Sequence, residues 1–250
     1  MNILSGDSME NWKVTLNKFL EPYKNDDRII GAILGGSYAT DNYSEDSDID
    51  ISIISSDENY CKRGNVMVDG IMIEYFINPI SKLRDYMEDD YNNRNRLSTS
   101  NLIGNGKIIF KKSDVIDKLQ KEALSYYEKE FPKPNETKIM CKKYACWDSY
   151  DELKSKIKNN ESYNFNYFIV LQNLIDLYYY SNNIATVPIS KLEKILRDNE
   201  YAKKYNLKNE PNDDFKKMVL NCIDTIAIDE INKLYKYIMK DWDITNFILE

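Results

Sequence analysis

The sequence predicts an α+β fold: a mixed sheet with flanking helices in the N-terminal part, followed by a C-terminal helical bundle. Three observations lead there. Short runs rich in β-branched residues, at 29–34, 48–54 and 71–77, all precede Phe131-Pro132-Lys133-Pro134. Asp69-Gly70 sits between two alternating apolar runs, the signal of a two-residue hairpin. From Asn135 onward the apolar residues recur at helical spacing, with no further strand-like run. The proline pair therefore divides the chain into an α/β unit over 1–130 and a helical unit over 135–250.

Ser8 to Tyr23 reads as a helix, with Trp12, Leu16, Phe19 and Leu20 on one face and Pro22 at its end. Ile29 to Leu34 is the first strand. Gly35 and Gly36 break it, and Ser37 is placed to cap a short helix from Tyr38. Asp48 to Ile54 is the second strand. Alternation turns Ile49, Ile51 and Ile53 into a core and projects Asp48 and Asp50 together from the other face. Two carboxylates so placed repel one another unless a cation lies between them, and a divalent metal ion is the usual solution. On the returning arm of the hairpin, Ile71, Ile73, Tyr75 and Ile77 share one face, and Met72, Glu74 and Phe76 the other. Pro79 opens a helix to about Asn93, Lys107–Lys111 is a last short strand, and a helix from Asp114 to Glu128 turns Val115, Leu119 and Leu124 inward. The helical unit reads as helices at about 136–158, 163–182, 189–198 and 213–240.

Composition narrows the chemistry. The chain has 250 residues, 42% of them apolar, no histidine and a formal net charge of -7. Histidine-based triads, histidine-ligated zinc and a histidine general base are excluded, so a base must be a carboxylate, Lys, Tyr or Cys. The acidic balance argues against an extended nucleic-acid surface and fits a small, cationic substrate. Cys61, Cys141, Cys146 and Cys222 show no paired spacing and read as reduced thiols. With no signal-peptide block and no membrane-length run, the expected location is cytoplasmic.

Leu34-Gly35-Gly36-Ser37, ten intervening residues, Asp48-Ile49-Asp50, and Glu74 on a later strand together resemble the nucleotidyltransferase superfamily typified by DNA polymerase beta. The resemblance spans roughly Ile29 to Ile77. The helical second half is similar in layout to the small aminoglycoside and lincosamide nucleotidyltransferases. This implies a Mg²⁺-dependent transfer of a nucleoside monophosphate, AMP from ATP, to a hydroxyl of a small antibiotic-like acceptor. Asp48 and Asp50 would hold Mg²⁺ against the triphosphate, while Gly35, Gly36 and Ser37 would approach its phosphates. Glu74 would complete the metal site or take the acceptor's proton, and the resemblance favours the base role.

Weaker candidates stand beside bland readings. Arg94 reads as a phosphate contact or a solvated helix end. Lys191, after Val187-Pro188, stands where small nucleotidyltransferases often place a lysine for the triphosphate. Trp147, Tyr150 and Asp151, with Asp148 and Glu152, read as a cationic-substrate pocket or as bundle-core aromatics among solvated acids. The family often carries Arg or Lys shortly after Gly-Ser, where this chain has Thr40. The same motif also admits a protein acceptor, or a non-catalytic nucleotide-binding module.

Overall fold

The structure, a computed structural model, describes residues 8–204, 207–240 and 242–248. The chain divides into two units. One takes the described residues up to Asn93 together with Leu97–Glu130, and the other Arg94–Arg96 with the described residues from Phe131 onward. Among the described residues no helix is long and apolar enough to cross a membrane.

The first unit is built on a five-stranded mixed sheet in the order β3-β4-β2-β1-β5. Its strands are β1 (Ile29–Leu34), β2 (Ile49–Ser55), β3 (Lys62–Val68), β4 (Ile71–Pro79) and β5 (Lys107–Lys111). β2 and β4 run parallel, and the other neighbouring pairs run antiparallel. The hairpin forms at Asp69-Gly70, where both residues adopt positive φ (49° and 82°), as a tight primed turn requires.

Helix α1 (Ser8–Lys24) lays Trp12, Leu16 and Leu20, spaced four apart, against Ile49, Ile51, Ile53, Ile73 and Ile77. Full burial of each isoleucine contributes roughly 1.5–3 kcal/mol before entropy is counted. Pro22 lies within the last turn of α1 rather than ending it: the helix runs two residues further, with the Pro22 hydrogen bond to the carbonyl four residues back given up.

The remaining helices of this unit are α2 (Gly36–Ala39), α3 (Ile80–Arg94), α4 (Ser98–Gly104) and α5 (Val115–Ser125). α5 buries Ile116, Leu119 and Ala123, whereas Leu124 is 38% exposed. The inward stripe is thus displaced from the one expected, because Ile116 packs into the space left at Gly31 of β1. Asp90 is a buried carboxylate, and its Oδ2 accepts from Thr99 N (3.0 Å) and Thr99 Oγ1 (2.9 Å) at the start of α4.

The second unit is helical: α6 (Glu136–Lys158), α7 (Asn164–Ser181), α8 (Ile189–Arg197), α9 (Asn199–Lys204), α10 (Asp213–Thr225) and α11 (Ile228–Met239). Asn135 and Asn212 cap α6 and α10 through their side-chain oxygens. The core gathers Tyr167, Val170, Leu174, Phe215, Val219, Ile231 and Leu234.

The expected single helix over 213–240 is two. Ile226 takes a left-handed conformation (φ 47°) after α10, and Tyr167 Oη donates to the carbonyls of Cys222 (3.0 Å) and Ala227 (3.4 Å) across the break. No Gly or Pro marks this break, so a tertiary hydrogen bond holds it. Phe215 stacks on Tyr178 at 3.7 Å between ring centres and is fully buried. Phe215→Ala is expected to destabilise the protein by about 3–5 kcal/mol, read as a lower urea midpoint.

Candidate functional site

The site is assembled where β1 ends, β2 begins and β4 runs alongside. Parallel pairing puts Asp50 in register with Glu74, so the two side chains leave the same face of adjacent strands. Asp48 stands just before β2, which begins at Ile49 rather than at Asp48. One carboxylate oxygen from each of Asp48, Asp50 and Glu74 lies within 4.8 Å of the others; Asp48 is exposed and the other two are half-buried.

The glycine turn is shaped around this cluster. Gly35 N–H donates to the Asp50 carbonyl (2.9 Å), which ties the end of β1 to the start of β2. Gly36 adopts φ +61°, and a Cβ there would lie 1.9 Å from Asp50 Oδ2. The space opened by Gly36 is thus filled by a carboxylate of the site, and the space at Gly35 by the Leu102 side chain. Ser37 does not cap α2. The helix begins at Gly36 with Gly35 at its cap, Ser37 lies within it, and the Ser37 carbonyl accepts from Asn42 N (2.8 Å).

Tyr38 stacks on Tyr43 at 4.4 Å and also meets Trp12. Burial, then the neighbouring Tyr43 and Asp48, push the Tyr38 phenol above its ordinary pKa, so it stays protonated.

Thr40 turns its hydroxyl back onto the helix, toward the carbonyls of Gly36 (3.2 Å) and Ser37 (3.4 Å). The next residue, Asp41, pairs with Lys107 of β5 at 3.1 Å. A basic group therefore stands by this turn, brought from β5 rather than from the position after Ser37.

Glu74 is not unpartnered. Arg63 of β3 reaches its Oε1 with Nη2 at 2.5 Å and Nε at 3.2 Å. Arg63 is absent from the residues singled out by sequence. The hairpin register contains the signal: counting back from Asp69-Gly70 pairs Asn65 with Glu74 and Arg63 with Phe76, which puts Arg63 on Glu74's face.

The other candidates belong to the second unit. Arg94 accepts through its carbonyl from Thr186 Oγ1 (3.2 Å). Lys191 is exposed in the first turn of α8. Trp147 packs partly buried against the bundle core. Tyr150 stacks on Tyr235 at 3.9 Å and donates to Asn232 Oδ1 at 2.7 Å, so its ring and hydroxyl are engaged. Asp151 is exposed and pairs with Lys154 at 3.0 Å.

Residues 15–158, more than half of the chain, match the nucleotidyltransferase domain family. The chain belongs to that family. No curated protein matches it. A similar solved structure is that of a nucleotidyltransferase-like protein from Exiguobacterium sibiricum 255-15. It is 14% identical, with a TM-score of 0.41, and the match covers 90% of this chain and 75% of that one.

As a nucleotidyltransferase the protein is an enzyme that takes a nucleoside triphosphate and transfers its monophosphate. Members of the family typically work with a divalent metal ion. The residues present fit one: the donors are all carboxylate oxygens, they converge within 4.8 Å, and Gly36 leaves Asp50 the room to join them.

Proposed function

We propose that this nucleotidyltransferase transfers AMP from ATP to a hydroxyl group of a small cationic acceptor of the aminoglycoside type, releasing pyrophosphate, with Mg²⁺ as its metal ion. The observation that carries the reading is the meeting of Asp48, Asp50 and Glu74 beside the left-handed Gly36.

Asp48 and Asp50 would hold the ion, whose chemistry is to offset charge on the triphosphate and on the departing pyrophosphate. Ser37, in the turn next to them, offers a hydroxyl to phosphate oxygens. Glu74 receives the proton of the acceptor hydroxyl as that oxygen bonds to the α-phosphorus and the bond to the bridging oxygen breaks. The negative chain charge of -7 supports a cationic acceptor.

The test is incubation with ATP, Mg²⁺ and a panel of aminoglycosides and lincosamides. Pyrophosphate release that needs both Mg²⁺ and one acceptor, with AMP found on that acceptor, is the expected result. Release with none of them, from protein shown to be folded, removes the antibiotic-type acceptor.

A further inference from the structure

We propose that Arg63 is a positioning residue: it holds Glu74 in an ion pair beside the metal site and out of the ion's coordination, leaving Asp48 and Asp50 to hold the ion. The assignment rests on the metal-dependent transfer proposed above and goes beyond it in naming the residue that keeps Glu74 off the ion.

The geometry comes from the hairpin. Arg63 stands diagonally across from Glu74, on the same face, in a register set by the tight turn at Asp69-Gly70. Its guanidinium is fixed at two points although the side chain is 71% exposed. It lies 4.9 Å from the centre of the Phe76 ring, and two of its nitrogens meet Glu74 Oε1. An exposed ion pair adds little to folding. Its consequence here is orientation, since it engages one edge of a carboxylate that would otherwise be drawn toward a cation.

Charge leads to the same division. Three ionised carboxylates within 4.8 Å of one another repel. Pairing Glu74 with Arg63 makes those two residues neutral together. Asp48 and Asp50 then supply the two carboxylates that would hold a divalent ion. Glu74, held at the edge of the site, stays available to the acceptor's hydroxyl.

The experiment is a titration of the full chain with Mn²⁺, read by water-proton relaxation, which needs no acceptor. In the double variant Arg63→Gln/Glu74→Gln, Mn²⁺ affinity stays within about twofold of wild type, because a neutral pair has been removed whole. Arg63→Gln alone tightens Mn²⁺ several-fold, because an unopposed carboxylate of the cluster then faces the ion. A loss of about tenfold or more in the double variant, at least the size expected for removing an outer-shell partner of the ion, shows that the pair supports the ion and overturns the assignment. Unchanged or weaker binding in Arg63→Gln overturns it too. Circular dichroism confirms folding, and Arg63→Ala repeats the single-variant arm if glutamine disturbs it. Wild-type Mn²⁺ binding that does not depend on Asp50 overturns the metal site itself, a different result from the two above.

Discussion

Asp50→Asn is expected to lower monophosphate transfer by about a thousandfold or more, ~4 kcal/mol of transition-state stabilisation. Asp50 is the residue on which the site's geometry converges. Its carbonyl receives Gly35 N–H, its carboxylate fills the space at Gly36, and its register partner is Glu74. The amide keeps the shape and removes one of the two charges assigned to the ion. Because three carboxylates crowd this point, losing one charge should not weaken folding, and stability is expected within about 1 kcal/mol of wild type. The measurement is kcat with ATP and Mg²⁺, alongside a melting curve. Retention of more than a tenth of wild-type turnover, with the fold intact, would remove Asp50 from the metal site.

Gly36→Ala is expected to damage both stability and activity. The backbone there is left-handed (φ +61°), and a methyl group would meet Asp50 Oδ2 at 1.9 Å and its Cγ at 2.9 Å. Strain and displacement together should destabilise the protein by about 1–3 kcal/mol. Shifting the Asp50 carboxylate should lower turnover by about a hundredfold. Gly70→Ala separates the two causes, because Gly70 also has positive φ (82°) but a Cβ there meets nothing within 4 Å. That variant should show strain alone, about 1 kcal/mol, with transfer near the wild-type rate. Equal losses of turnover in both variants would show that the contact with Asp50 does not matter.

The contrast between these glycines reflects what is local and what is not. The Asp69-Gly70 turn was readable because a primed turn is decided by its own two residues. The common face of Asp48 and Asp50 was readable because side chains alternate along any strand. Gly36 is special in the sequence for close approach of phosphates. The structure adds a second reason, a carboxylate fourteen positions later, which alternation does not reveal. The missing basic residue at Thr40 was also visible, whereas Lys107 beside Asp41 depends on β5 pairing with β1.

Local rules in the chain established the strands, the hairpin, the glycine break and the acidic pair, since each depends on dihedral preference or two-residue periodicity within one segment. The tertiary structure decided the rest. Parallel pairing of β2 with β4 brought Glu74 beside Asp50. A tyrosine from α7 holds the break in what the pattern reads as one helix over 213–240. These pairings join segments far apart in sequence. Neither partner's local pattern specifies the other, so they exist only once the sheet and the bundle have formed.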